Sequence, residues 1–319
     1  MSDFKPGLEG VVAVETEIAE PDREGGALRY RGVDIEDLVG HVPYENVWGL
    51  LVDNDPSSKM PDPEPFEPAR LTGNAPADLQ SETARLAGEW RLGKLNEISD
   101  EQAREDLGRL SAQMMSIVGR SARVADGHLD PVADEVVAHG KTAAEQFLLR
   151  WRGEANPRYV KAIDTYWICT AEHGLNASTF TARIVASTGA DCGASLSAAV
   201  GALSGPLHGG APAYVIPMLE EVAAMGDPER WVDEALEQVA LAALQARHPE
   251  RVLATNVEYY SAVVLDIAEI SPALAPAMFA CSRVGGWSAH ILEQKKTGRL
   301  FRPSARYVGP SPRPFSSLR

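Results

Sequence analysis

The sequence is poor in basic residues and in cysteine, and both shortages exclude classes of protein. Lysine and arginine total 30 against 45 aspartates and glutamates in 319 residues, which gives a formal net charge of −15. A nucleic-acid-binding protein needs a basic face, and no such face is evident. The three scattered cysteines, Cys169, Cys192 and Cys281, are too few for a disulfide framework or a cysteine-based metal site. A reducing, cytoplasmic environment is the simplest expectation.

The sequence also shows no recognisable signal peptide or membrane span. The N-terminal MSDFKPGLEG has no apolar core, so we expect no signal peptide. Residues 192–219 contain no acidic residue, lysine or arginine, but they are rich in glycine and serine and only modestly hydrophobic. We therefore expect a tightly packed, buried helix in this stretch.

The short motifs of metal, phosphate and serine-hydrolase sites are missing as well. None of the seven histidines pairs with another at a metal-ligand spacing such as HxxxH. No glycine-rich phosphate loop of the P-loop or dinucleotide type occurs, and no GxSxG nucleophile elbow is found. We expect neither a bound metal nor a permanently bound cofactor.

Helical periodicity dominates what is present, and it predicts an all-α protein. A short strand is expected only within GVVAVETEIAE, residues 10–20. Predicted helices cover residues 35–51 with a break near Pro43, 100–122, 130–150, 157–172, 179–203, 213–224, 229–246, 257–267, 273–284 and 288–296.

Two histidines and one arginine have unusual sequence neighbours. His208 lies in SGPLHGGA, where glycines let backbone and ligand approach closely. His173 lies in AEHGLNASTFTAR, just after an apolar helix; for either histidine, a core or capping role is the alternative. Arg283 interrupts the apolar stretch FACSRVGGW and needs an anionic partner, either a protein carboxylate or a ligand. Glu258 stands in the first turn of a predicted helix, an ordinary place for an acid.

Seven segments of the chain, spread from about residue 8 to residue 310, together resemble the citrate synthase family. The resemblance implies an all-α fold and a homodimer with active sites in the cleft between a large and a small domain. In this chain the large domain would comprise residues 1–212 and 285–319, and the small domain residues 213–284. The matching segments are GLEGVVAVETEIAE, LRYRGVDIEDL, AEHGLNASTFTARIVASTGAD, GALSGPLHGGAP, TNVEYYSAVV, SRVGGWSAHILEQ and RLFRPSARYVGP.

The resemblance also implies a reaction. Members of this family condense acetyl-CoA with oxaloacetate to give citrate and CoA, and close relatives use propionyl-CoA and make 2-methylcitrate. The acyl-CoA would be a cosubstrate, and Asn256 would lie near the CoA chain.

Specific residues would carry the chemistry. His208 would donate a proton toward the thioester carbonyl while Glu258 takes a proton from the methyl carbon, because enolisation of a weak carbon acid needs both. His173, Arg283 and Arg302 would hold the carboxylates of oxaloacetate, with Arg302 reaching in from the other subunit.

The chain departs from the family pattern in two places. Most of the family has aspartate at the position of Glu258; glutamate is a base of similar strength with one more methylene. A segment resembling MGFGHRVY followed by DPRA is also missing, with the seam between Trp231 and Gln238. In the family, that segment supplies a histidine that polarises the oxaloacetate carbonyl, a further arginine for oxaloacetate, and backbone that holds CoA.

The sequence alone allows two explanations of the missing segment. Either the small domain is truly shortened, or a longer chain contains a mobile segment that this sequence omits. A real deletion makes synthase activity doubtful. The alternative function is then a non-catalytic homologue that dimerises and binds di- or tricarboxylates through His173, Arg283 and Arg302, and a weaker alternative is a helical dimer without any ligand.

Overall fold

The computed structural model describes residues 4–8, 10–21, 27–209 and 257–314, and for Pro21 and residues 257–260 the description covers the backbone only. This part of the chain is mostly α-helical, as predicted. The helices are α1 (Tyr44–Asp53), α2 (Ala75–Glu89), α3 (Asp100–Ala125), α4 (Asp134–Val137), α5 (Ala143–Arg152), α6 (Pro157–Thr170), α7 (Ala177–Ser187), α8 (Cys192–Leu203), α9 (Val257–Ile267) and α10 (Ala275–Thr297).

A small antiparallel sheet and two short 3-10 helices complete the regular structure of the described residues. The strands β1 (Ala19–Pro21), β2 (Leu28–Tyr30) and β3 (Val33–Asp34) lie side by side in that order, with Ala19 opposite Tyr30 and Tyr30 opposite Val33. The 3-10 helices span Pro6–Leu8 and Ile35–Asp37. The strand predicted at residues 10–20 is thus limited to its last two residues, and residues 11–16 have no regular structure.

The prediction of one long helix over residues 179–203 is wrong, because two helices occupy this stretch. The backbone of Gly189 has a φ of +82°, a left-handed conformation that ends α7 and that suits glycine. Asp191 then caps α8 by accepting a hydrogen bond from the backbone N–H of Ala194 at 2.8 Å. The break redirects the chain so that α7 and α8 pack against each other.

The prediction of two helices at residues 273–284 and 288–296 is also wrong, because α10 runs unbroken through both. The glycine pair Gly285–Gly286, which suggested a break, lies inside the helix and marks a close approach. A Cβ atom on Gly286 would stand 2.7 Å from the carbonyl oxygen of Ala171. The two glycines therefore permit tight packing of α10 rather than its termination.

Residues 130–150 form two helices, α4 and α5, instead of the single predicted one. Thr142 caps α5 by accepting from the backbone N–H of Glu145 at 3.2 Å. Helix α2 was not predicted at all, although Asn74 at its N-cap and Pro76 in its first turn are recognisable start signals. The break near Pro43 is confirmed, since α1 begins at the next residue. The predicted helices at 213–224 and 229–246 lie outside the described residues.

Helix α10 forms the centre of the described part of the molecule. It packs against α1, α3, α6, α7 and α8 and is buried over most of its length. The hydroxyl of Tyr44 donates to the backbone carbonyl oxygen of Ser282 at 2.6 Å, which joins α1 to α10. The small-residue helix α8 is largely buried, as expected, and no helix among the described residues is both long and apolar enough to cross a membrane.

Candidate active site

His208 lies just beyond α8 and contacts the first turn of α7. Its Nε2 atom is 3.3 Å from the backbone nitrogen of Ser178 and 2.9 Å from the Ser178 hydroxyl oxygen. Ser178 is the second residue of α7, where backbone N–H groups have no partner within the helix. The glycine-rich loop thus brings the imidazole to the open end of a helix.

These contacts assign the hydrogen on the His208 ring. A backbone N–H can only donate, so Nε2 accepts and the hydrogen of the neutral imidazole stands on Nδ1. The Ser178 hydroxyl oxygen also lies within contact of Nε2; it accepts from Trp287 Nε1 at 3.3 Å, and its own hydrogen is donated to Asn176 Oδ1 at 2.9 Å. In this tautomer Nδ1 carries the ring hydrogen, as a proton donor to a carbonyl oxygen requires.

Phe279 on α10 connects His208 to Arg283. Its ring centroid is 6.5 Å from that of His208, and the Arg283 guanidinium carbon lies 4.9 Å from the same ring. Stacking of a guanidinium on an aromatic face is favourable and fixes its plane. Two residues predicted from separate motifs are therefore brought to one location by a shared neighbour.

Arg283 is buried and lacks hydrogen-bond acceptors. Its side chain is 7% exposed, and its Nε and Nη1 atoms have no hydrogen-bond partner among the described residues. Glu172 is the carboxylate whose charge acts on it, but the two side chains do not form an ion pair. A buried guanidinium with unused donors is suited to receive an anion.

Glu172 is one end of a series of polar contacts between side chains of α7 and α10. Nη1 of Arg183 on α7 is 2.8 Å from Nδ1 of His290 on α10, and Nε2 of His290 is 3.3 Å from Oε1 of Glu172. Arg183 also pairs with Glu293 at 2.5 Å. Because guanidinium can only donate, Nδ1 of His290 accepts and Nε2–H donates to Glu172.

Glu172 is ionised in this environment. Burial would raise its pKa, but the contact with His290 and the charge of Arg283 outweigh burial, and the pKa of Glu172 lies below its usual range. The hydroxyl of Tyr30 accepts a hydrogen bond from the backbone N–H of Glu172 at 3.3 Å and donates to the Ile168 carbonyl at 2.9 Å. Glu172 is thus fixed in both backbone and side chain, immediately before His173.

Of the remaining predicted residues, two are exposed and two have side chains outside the described part of the chain. His173 is exposed in the loop between α6 and α7. Arg302 is exposed in the C-terminal tail, and no described contact within the chain joins it to His173, His208 or Arg283. Asn256 and the side chain of Glu258 lie outside the described residues, although α9 begins one residue before Glu258, as the sequence predicts.

Three side chains of this site, those of Ser178, Glu172 and Arg183, were not singled out from the sequence. All three lie inside the quoted segment AEHGLNASTFTARIV, and His290 lies in SRVGGWSAHILEQ. A signal existed for His290, because it follows Arg283 by seven residues and therefore shares its face of a helix. No group of His, Cys, Asp or Glu suited to a metal ion occurs within the described ranges.

Comparison with solved structures defines the fold first. A crystal structure of citrate synthase from Thermotoga maritima superposes with a TM-score of 0.69 and 26% sequence identity, covering 98% of each chain. The chain therefore has the helical fold of citrate synthases.

Comparison of sequences then gives the family. The model of the citrate synthase C-terminal domain matches residues 7–239 and 234–304. Putative citrate synthase 2 of Mycobacterium tuberculosis is 47% identical, with 99% of this chain and 96% of the relative covered. A 2-methylcitrate synthase of Shewanella oneidensis is 29% identical, with 98% of each covered. The chain belongs to the citrate synthase family.

The comparisons also bear on the missing segment. The two stretches matched by the family model meet at residues 234–239, where the sequence places the seam. The alignment with the mycobacterial relative extends over 360 residues, more than the 319 of this chain. The relative therefore has residues without a counterpart in this sequence. The seam itself lies outside the described residues.

Proposed function

We propose that this protein is an acyltransferase that condenses an acyl-CoA with oxaloacetate, releasing CoA and forming citrate or 2-methylcitrate. The observation that carries the proposal is the placement of His208, with its proton on Nδ1, beside an arginine with unused donors. The named relatives are synthases, which favours catalysis over the non-catalytic, carboxylate-binding alternative.

The proposed mechanism begins with enolisation of the acyl-CoA. Glu258 removes a proton from the carbon next to the thioester, and His208 donates toward the carbonyl oxygen, so that no full charge develops on that oxygen. The backbone N–H of Ser178 keeps Nε2 an acceptor and directs the transferable proton to Nδ1. Asn256 is proposed to lie along the CoA chain.

The enol then attacks the oxaloacetate carbonyl. Arg283, His173 and Arg302 are proposed to bind the two carboxylates and so orient that carbonyl. Support for Arg283 is direct, because its Nε and Nη1 are buried and lack hydrogen-bond partners in the described part of the chain. The attack gives the CoA thioester of the product acid, and water then hydrolyses that thioester to release CoA and the free acid. The reaction needs no permanently bound cofactor, since CoA enters with the acyl group and leaves as a product.

A homodimer is part of the proposal, because Arg302 would serve the partner's site. The C-terminal tail has no regular structure between residues 298 and 314. Tyr307 is 79% exposed and Val308 85%, and Ile184 on α7 is 39% exposed. Apolar side chains left exposed in this way suit burial against a second copy. Phe301 packs against Phe180 of α7, and the exposed residues that follow it are proposed to carry Arg302 to the partner.

Domain division and location complete the proposal. We place the large domain at residues 1–212 and 285–319 and the small domain at 213–284; residue 285 falls within α10, so the two domains share that helix. A cytoplasmic location agrees with three cysteines that are all free thiols.

Product analysis tests the proposed function. The protein is incubated with oxaloacetate and either acetyl-CoA or propionyl-CoA, and the acid products are identified by mass spectrometry. We expect citrate, 2-methylcitrate or both, formed only with oxaloacetate present and lost in H208Q. No acid product from either acyl-CoA, together with no rise in melting temperature on adding oxaloacetate, would reject the proposal.

A further inference from the structure

Glu172 and Arg283 carry opposite charges and are both buried, and the charge of Arg283 acts on Glu172 although the two side chains form no ion pair. Oε1 of Glu172 contacts His290, whereas Oε2 has no hydrogen-bond partner among the described residues. Arg283 likewise has two donor atoms without partners. A carboxylate and a guanidinium left free to move would form a charge-assisted, bidentate pair.

The position of Glu172 is set from three sides. His290 holds Oε1, and Arg183 holds His290 by donating to its Nδ1. The backbone N–H of Glu172 donates to Tyr30. On the third side Glu172 lies against α10, since a Cβ atom on Gly286 would overlap Oε2. The backbone N–H of Gly174 also acts on the carboxylate where it stands, and neither Glu172 Oε2 nor the Nε and Nη1 of Arg283 makes a hydrogen bond to the other.

Arg183 is the anchor of His290, and it is itself held by contacts with other side chains. Arg183 is 1% exposed and bonds to Glu293 at 2.5 Å and to Gln294 Oε1 at 3.1 Å. Glu293 in turn accepts from the backbone N–H of Glu17 at 3.0 Å, which connects the anchor to the N-terminal segment. Contacts with three side chains, His290, Glu293 and Gln294, favour a single arrangement of the buried Arg183 guanidinium.

We propose that His290 is a positioning residue that withholds the Glu172 carboxylate from Arg283, so that the guanidinium stays open for a carboxylate of the substrate. Glu172 stays close enough to balance the charge of Arg283 in the empty site but does not occupy its donors. The inference rests on the proposed function, in which Arg283 binds oxaloacetate. His290 itself touches no substrate.

A double-mutant cycle on oxaloacetate binding tests the proposal. Asparagine at position 290 can still accept from Arg183 but is too short to reach Glu172, whereas glutamine can reach it. We expect H290N to weaken oxaloacetate binding at least about tenfold by calorimetry, and H290Q to recover most of the loss. In the E172Q background no carboxylate can capture Arg283, so H290N should have little further effect.

The controls separate the possible failures. H290A, which buries no unpaired amide, is measured beside H290N, so that the test can still be made if one of the two variants does not fold. H139N, which changes an exposed histidine elsewhere, is the matched control. An equal loss from H290N in both backgrounds would mean that His290 is merely structural and would overturn the inference. Unchanged binding in H290N and H290A would overturn it too. Absence of oxaloacetate binding by the unmodified protein would instead reject the proposed function itself.

Discussion

Nε2 of His208 lies 2.9 Å from the hydroxyl oxygen of Ser178, although the two residues are 30 positions apart. The contact joins the glycine-rich loop after α8 to the first turn of α7. The backbone N–H of the same serine donates to Nε2 and so places the hydrogen of the neutral imidazole on Nδ1, the proton that the proposed reaction uses. Ser178 is therefore as much a part of the candidate site as the histidine that the sequence reveals.

The first prediction concerns this serine. S178A removes the hydroxyl but keeps the backbone N–H, so the tautomer of His208 is preserved while its ring loses one restraint. We expect condensation to slow on the order of tenfold, mainly in kcat, because the positioned acid contributes about 10²–10⁴ in total. Steady-state kinetics would show it.

T181A is the matched control for that variant. Thr181 is half-buried on the same helix, and in the described part of the chain its hydroxyl bonds only to the Ala177 carbonyl. Its kinetics should match those of the unmodified protein. Equal kcat values for S178A and T181A would show that the Ser178 hydroxyl does not position His208.

The second prediction concerns the close approach at Gly286. A Cβ atom there would overlap Oε2 of Glu172, whose other carboxylate oxygen is held by His290, and would stand 2.7 Å from the carbonyl oxygen of Ala171. We expect G286A to lower the free energy of unfolding by about 1–3 kcal/mol, the usual cost of overpacking. Urea unfolding measures the change.

Gly88 supplies the comparison for Gly286. It is exposed near the end of α2, and an added Cβ would meet no atom within 4 Å. G88A should leave stability unchanged or raise it by about 0.5 kcal/mol, because alanine favours helix. If G286A were as stable as G88A, the packing of α10 against Glu172 would have to be looser than described.

The third prediction is a pH dependence that arises at Asp164. Burial raises the pKa of this carboxyl to about 6, although it accepts a hydrogen bond from the backbone N–H of Tyr44 at 2.9 Å. Between its unfolded pKa near 4 and about 6, the folded state binds more protons than the unfolded state, so this group lowers stability as pH rises.

D164N removes the charge and keeps an oxygen that can accept from Tyr44. We expect D164N to be more stable than the unmodified protein by about 1–3 kcal/mol at pH 7.5, since one pKa unit corresponds to about 1.4 kcal/mol. The difference should shrink as pH falls through 6. Denaturant unfolding at pH 5.0 and 7.5 checks this, and a difference that grows toward low pH would contradict it.

Sequence reasoning located the fold and the conspicuous polar residues. His208 among glycines and Arg283 in an apolar helix stand out because their neighbours cannot satisfy them, and the structure brings both beside Phe279. Helical periodicity gave the bounds of α3, α6 and α9 closely. These features depend on local sequence, and a single amino-acid sequence is therefore enough to predict them.

Contacts between distant segments were not predictable in the same way. Glu172 and His290 are separated by 118 residues, and neither looks unusual within its own stretch. The glycines in α10 illustrate the converse error. Locally Gly285–Gly286 resembles a helix break, but the pair is helical because another segment needs the space. Only the packed structure distinguishes these two uses of glycine.

The fourth prediction concerns the segment missing at residues 231–238. The family histidine that polarises the oxaloacetate carbonyl is absent, and losing one such donor costs on the order of 10²–10³ in rate. His290 cannot replace it, because it is fully buried between Arg183 and Glu172. We expect slow release of free CoA by the 319-residue chain and a large gain when the segment of a relative is inserted at the seam.

An assay that reports free thiol measures the rate of CoA release by the 319-residue chain and by the chain with the inserted segment. The inserted chain must first be shown to fold with an unchanged or higher melting temperature, so that a gain or its absence reflects chemistry. Turnover by the short chain that already equals that of the lengthened one would mean that another residue polarises the carbonyl. His248, which lies outside the described residues, would then be the first to replace.

The most direct test of the account is deuterium uptake by acetyl-CoA in heavy water, followed by mass spectrometry of the thioester. Enolisation needs His208 and Glu258 but not the missing carbonyl-polarising histidine, so it isolates the step that this chain retains. The account predicts protein-dependent uptake into the acetyl methyl group in the presence of oxaloacetate, lost in both H208Q and E258Q and kept in T181A. Uptake that persists unchanged in H208Q, or no uptake by the unmodified protein, would contradict it.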